Sequence, residues 1–99
     1  MLTAYLSPDG TTLTITPDGR FDFRIHREFR NAYAETTLPR HYVINLGQTD
    51  YLDSSALGML LLLREYAGGD TADIRILNCK PEVRTIFEVA NFQKLFTLA

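Results

Sequence analysis

The stretch Asp53-Ser54-Ser55 followed by Ala56-Leu57-Gly58-Met59-Leu60-Leu61-Leu62-Leu63 constrains the fold more than any other part of the chain. Asp and Ser are good helix-start residues, because their short side-chain oxygens accept the unpaired N–H groups of a first turn. The pattern predicts a helix from Ser55 to about Tyr66, apolar nearly all round until Arg64. A helix touching a sheet on one side only would not need that much apolar surface. The rest of it must meet a neighbouring helix or a partner. The same helix start places two hydroxyls where bare backbone donors and partial positive charge collect, which suits an anion. Capping alone would account for a lone Ser-Ser pair. Gly58, however, costs about 1 kcal/mol against Ala inside a helix, so its presence argues for something more.

The flanking segments alternate between strand and helix patterns. Leu2 to Leu6 places Leu2, Ala4 and Leu6 against Thr3 and Tyr5, which suits a half-buried strand. Ser7-Pro8-Asp9-Gly10 is turn chemistry, and Thr12 to Thr16 alternates again, so the two form a hairpin. Thr16-Pro17-Asp18-Gly19 is a second turn or bulge. In Arg20-Phe21-Asp22-Phe23, a period of two points both rings one way and the Asp22 carboxylate the other. Taken alone, Asp22 reads as a surface residue or a cap for the next helix.

That helix runs from Arg24 to Glu35, with Ile25, Phe29, Ala32 and Tyr33 on one stripe and His26 on the polar side. Thr36-Thr37-Leu38-Pro39-Arg40 breaks it. His41 to Leu46 reads as a central strand covered on both faces, and Gly47 to Asp50 as a loop. Ala67-Gly68-Gly69-Asp70 ends the apolar helix. Ile74 to Cys79 is another strand, with Cys79 a small buried residue rather than a nucleophile. Pro81 opens the last helix, whose expected stripe is Val83, Ile86, Phe87 and Ala90. Asn91 closes it in left-handed geometry, and Phe92, Leu95, Phe96 and Leu98 seal the core. The expected fold is α/β, one domain over residues 1–99. Its mixed sheet is antiparallel at the N-terminal hairpin and parallel elsewhere, with helices packed on it. The loop holding Ser54 then lies at the carboxyl end of the sheet, where such folds place their sites.

Composition narrows the function. A net charge of −2 with scattered basic residues gives no electrostatic footprint for nucleic acid. The lone Cys79 excludes a disulfide framework and a thiolate metal site. The longest apolar run, Met59 to Leu63, is too short to span a bilayer. With no basic-then-apolar leader, a cytoplasmic location is the default expectation. No cofactor, metal or membrane partner is expected.

Three segments resemble one family across nearly the whole length. They are Asp53-Ser54-Ser55-Ala56-Leu57-Gly58 after Val43-Ile44-Asn45-Leu46, Gly19-Arg20-Phe21-Asp22, and Pro81 to Glu88 followed by Phe92-Gln93-Lys94-Leu95-Phe96. The chain resembles a STAS domain of the bacterial anti-sigma factor antagonist family, of the SpoIIAA and RsbV type. Ala56 stands where the family often has Gly, and Asn91 replaces a Gly at a helix end. The resemblance implies a phosphorylation site at Ser54, with Ser55 free to cap the helix and Asp22 lying beside it. It also implies partner switching. The unphosphorylated form would bind an anti-sigma factor, itself a serine kinase of the histidine-kinase-like ATP-binding fold, and so release sigma. Phosphorylation would end the complex, and a PP2C-type phosphatase would reset it. The residues expected to meet the partner are Asp22, Asp53, Ser54, Ser55, Ala56, Leu57 and Gly58. Asp53 would position the loop, Asp22 would contact the partner or kinase, and the two would make the region acidic.

Other classes fit less of the sequence. A phosphoaspartate receiver needs an acidic pair after its first strand and a Lys late in the sheet. Here Asp22 is alone, and Lys80 sits beside Pro81. A Ser54 hydrolase lacks a Gly-x-Ser-x-Gly elbow, and His26 and His41 have no evident acid partner. No enzymatic activity is expected. A STAS module serving a transporter or scaffold complex is the remaining alternative.

Overall fold

The computed structural model describes residues 1–36 and 38–99. Thr37, part of the expected helix-breaking stretch, lies outside the described residues. Strand β1 (Leu2–Leu6) turns back through Ser7 to Gly10 into β2 (Thr12–Pro17), pairing antiparallel with Leu2 opposite Pro17 and Leu6 opposite Leu13. Strands β4 (His41–Asn45), β6 (Ile74–Leu77) and β7 (Thr97–Leu98) add in parallel, giving the order β1-β2-β4-β6-β7. Ile15, Ile44 and Ile76 stand side by side across the three central strands, each fully buried. The expected mixed sheet with an antiparallel N-terminal hairpin is present.

The core lies on one face of this sheet. Leu13, Ile15, Tyr42, Ile44, Ile74 and Ile76 pack there with Phe29 and Tyr33 of α1 (His26–Ala34), Leu60 and Leu63 of α2 (Ser54–Tyr66), and Val83 and Phe87 of α3 (Pro81–Val89). The other face carries Thr12, Thr14, Val43, Asn45 and Arg75, half-buried or exposed. So β4 is covered on one face, not both. Its only apolar side chain on the open face is Val43, a β-branched residue that suits a solvated strand surface. Strand β1 is a more exposed edge than its alternation suggests, since only Leu2 packs against the core.

Two further strands, absent from the sequence reading, carry the chain to the site. β3 (Gly19–Phe21) and β5 (Thr49–Leu52) form a small parallel pair, with Phe21 opposite Leu52. The register shifts at Gly19, whose φ of 78° is left-handed geometry that glycine adopts without steric cost. Residues 49–52, read in part as loop, are therefore strand. The pairing also breaks the period of two at Asp22. Phe21 is buried and Phe23 is exposed, because the chain turns at Asp22 into a 3-10 turn over Phe23–Ile25. That turn leads directly into α1. In α3, Val83 and Phe87 are buried while Ile86 and Ala90 are exposed. The space next to Phe87 is filled by Phe92, whose ring stacks on Phe87 and on Phe96. Asn91 adopts the expected left-handed conformation at φ 61°.

Candidate functional site

Three hydroxyls flank the chain as it enters α2, and each is placed differently. Thr49 is fully buried, and its Oγ1 donates to the Pro17 carbonyl at 3.0 Å. Ser55 is half-buried, and its Oγ donates to Asp53 Oδ1 at 2.5 Å. Ser54 is exposed and has no hydrogen-bond partner for its hydroxyl among the described residues. The cap of α2 is Asp53, not Ser55. Asp53 Oδ1 also accepts from the backbone N–H of Ser55 at 3.0 Å and of Ala56 at 3.3 Å. A carboxylate takes more donors at once than a hydroxyl can, so the helix starts one residue earlier than expected. These bonds, the Ser55 hydroxyl first, hold the Asp53 carboxyl below its ordinary value against burial and the nearby charge of Asp22.

Below Ser54 the exposed residues of α2 follow helical spacing. Ser54, Gly58, Leu61, Leu62 and Glu65 lie on one face, with Leu57 half-buried at its margin. Leu62 is 64% exposed and Leu61 39%. Ala56, Met59, Leu60 and Leu63 take the opposite, buried side. Ala56 is fully buried and presents no surface to a partner, which corrects its expected contact role. Gly58 leaves bare backbone one turn below the hydroxyl, with no atom within 4 Å of where a Cβ would stand.

Asp22 and Asp53 do come together, lining one hollow with Arg20, Phe23 and Arg24. Asp22 caps the 3-10 turn, accepting from the Arg24 N–H at 3.0 Å. Its Oδ2 also accepts from Arg24 Nη2 at 3.1 Å and Arg20 Nε at 3.2 Å. The Arg24 guanidinium is the main cause that pulls the Asp22 carboxyl down to about 2, against a burial cost. Arg20 in turn lies over the Tyr51 ring, 4.0 Å from its centroid. Two carboxylates thus face two guanidiniums, and the region is not acidic overall. Neither arginine is among the residues that the sequence points to for the site. No strand alternation marks them, because Arg24 lies in the 3-10 turn and reaches Asp22 only through the turn at that residue.

The sequence profile described as "Mlab, STAS domain" matches residues 6–98. The chain belongs to the STAS domain family. It is 54% identical over 99 residues to the STAS-domain containing protein PA14_20770 of Pseudomonas aeruginosa (strain UCBPP-PA14), covering 99% of this chain and 98% of that one. Its fold matches that of the anti-sigma factor antagonist SpoIIAA in its unphosphorylated form. The TM-score there is 0.72 at 17% identity, over 89% of this chain and 82% of that one. It also matches the Bacillus cell fate determinant SpoIIAA in the phosphorylated form, with a TM-score of 0.70 at 17% identity over 100% and 91% of the two chains. This STAS domain therefore has the fold of anti-sigma factor antagonists.

Within the STAS fold, His41, His26 and Lys80 each have a partner other than Ser54. His41 does have an acid partner, Asp73, contrary to expectation, at 2.5 Å. That pair sits at the amino end of β4, whereas Ser54 follows the carboxyl end of β5. His26 stacks flat on Phe23, with ring centroids 4.1 Å apart. Lys80 pairs with Asp50, not with the Asp22 and Asp53 hollow. Cys79 is half-buried against the core, and burial pushes its thiol up, which disfavours the thiolate. Among the described residues, no helix is long and apolar enough to cross a membrane.

Proposed function

We propose that this STAS domain is an anti-sigma factor antagonist switched by phosphorylation of Ser54. The observation that carries the reading is the free, exposed Ser54 hydroxyl at the head of an apolar stripe on α2. Unphosphorylated, the stripe of Gly58, Leu61 and Leu62 and the adjoining Asp53, Ser55 and Leu57 dock an anti-sigma factor and so release its sigma. Asp22 contributes beneath this surface through its arginines. The anti-sigma factor is also the kinase. Ser54 Oγ attacks the γ-phosphorus of ATP, the bond to the bridging oxygen of ADP breaks, and the hydroxyl proton passes to a base of the kinase. The phosphate brings a charge of about −1.5 to −2 to a surface that docks as a neutral one. Leaving a buried charge unpaired in an interface costs about 2–5 kcal/mol, and about 1.4 kcal/mol is already tenfold. A PP2C-type phosphatase then transfers the phosphoryl group to water and restores the hydroxyl.

Tagged protein purified from its host, with and without Ser54→Ala, tests this reading, followed by incubation of the co-purified partner with ATP and peptide mass spectrometry. Phosphate on Ser54 of the wild-type chain, and a partner retained by Ser54→Ala, are expected. Phosphate on Ser55 or Thr49 would overturn the site. A second reading, an interaction module of another assembly, is favoured by the family description. It predicts a partner without kinase activity whose binding ignores a charge at position 54.

A further inference from the structure

Arg20 and Arg24 hold more donors than Asp22 uses. A guanidinium carries five N–H donors. Arg20 meets Asp22 through Nε alone, and Arg24 through Nε and Nη2. Among the described residues, the remaining N–H groups have no protein acceptor. Both arginines line the hollow that Asp53 borders, and Ser54 is the next residue after Asp53. Their side chains are 54% and 70% exposed, so the unused donors are open to what occupies that hollow.

The charges around the hollow are balanced only while Ser54 is a hydroxyl. Asp22 and Asp53 oppose Arg20 and Arg24. On their other side, Asp18 and Glu28 border a second hollow with the same arginines, yet neither forms an ion pair with them among the described residues. Resting on the Ser54 reading, we propose that Arg20 and Arg24 form a clamp for the phosphoryl group of a phosphoserine at position 54. Arginine matches phosphate with paired, charge-assisted hydrogen bonds, stronger than neutral ones. Asp22 is a positioning residue here. It fixes both guanidiniums in place before the phosphate arrives, and the stacking of Arg20 on Tyr51 ties the clamp to β5. The phosphorylated domain then holds its phosphate against its own surface.

The test uses full-length protein with Ser54 replaced by phosphoserine through semisynthesis, so it needs no kinase. Phosphorus NMR follows the second ionisation of the phosphoserine, near 6 when unperturbed. In the wild-type background it falls below that value, aided also by the N–H groups of α2. In Arg20→Gln/Arg24→Gln it rises by at least about half a unit, a threefold change in acidity, and each single substitution gives part of it. The helix contribution is common to all forms and cancels. The Nε–H signals of Arg20 and Arg24 also shift on phosphorylation. Thermal melts check folding, and the single variants carry the test if the double variant does not fold. Equal ionisation in all forms with unmoved Nε–H signals overturns the clamp. Failure of the kinase assay would instead remove the switch and leave this titration standing.

Discussion

Replacing Gly58 by Ala separates what α2 needs for folding from what its exposed face is for. Gly58 lies inside a helix of 13 residues, and a Cβ built there meets no atom within 4 Å. The added methyl therefore brings no clash in the free protein. Ala is favoured over Gly in a helix interior by about 0.8–1.0 kcal/mol. In a domain of this size, each kcal/mol moves the melting temperature by about 4–8 °C. Gly58→Ala should thus melt several degrees above wild type. In the proposed complex, the same methyl would stand between Ser54 and Leu62 on the exposed face of α2. Interfaces pack as tightly as interiors, where an extra carbon costs about 1–3 kcal/mol. That corresponds to about 5- to 150-fold weaker binding. Calorimetric melts of the free protein and titrations against the anti-sigma factor measure both terms. A lower melting temperature would refute the open-face geometry. Unchanged affinity in a more stable variant would show that Gly58 is not at the interface.

Ser54→Asp should keep the melting temperature near wild type, because Asp is a competent residue at a helix start, yet weaken the anti-sigma complex by at least about tenfold; titration alongside melts decides between a lost interface and a lost fold. Leu60→Ala removes a fully buried side chain between α2 and the sheet and should destabilise by about 2–5 kcal/mol, read from urea unfolding. The folded Asp22 carboxyl, lowered from 3.8 to about 2, contributes stability that is present above 3.8 and is lost as pH falls through about 2. Arg24→Gln should remove much of that acid dependence, measured as the unfolding midpoint across the same range.

The elements with strong periodicity were legible in the sequence. The β1-β2 hairpin, α1, α2, β6 and the Pro81 helix start stand where alternation, stripes and turn residues put them. The β3-β5 pair was not, because it consists of three- and four-residue strands whose pairing joins residues thirty positions apart. No local pattern encodes such a contact. The site was half legible. Asp53 and Asp22 line one hollow and Ser54 follows Asp53 in the chain, but the division of labour among them depends on geometry. Whether Asp53 or Ser55 caps α2 is decided by which oxygen faces the N–H groups of Ser55 and Ala56. The arginines of the hollow were hidden for a similar reason. Only the turn at Asp22, which sends Phe21 inward and Phe23 outward, brings Arg20 and Arg24 onto one carboxylate.

The arrangement of the three hydroxyls explains why a charge at Ser54 would act on binding and not on the fold. A phosphate on Thr49 would have to enter the interior between β3 and β5 and break its bond to Pro17. A phosphate on Ser55 would set two anions against each other at Asp53 and strip the cap from α2. Ser54 makes no internal hydrogen bond that modification could break. Its neighbours meanwhile satisfy the helix end without it, since Asp53 accepts the free N–H groups of Ser55 and Ala56. The new charge also arrives at the end of α2 whose dipole favours it. The packing and the helix cap of the free domain are thus untouched by the modification, so its main free-energy consequence falls on whatever surface is docked against α2.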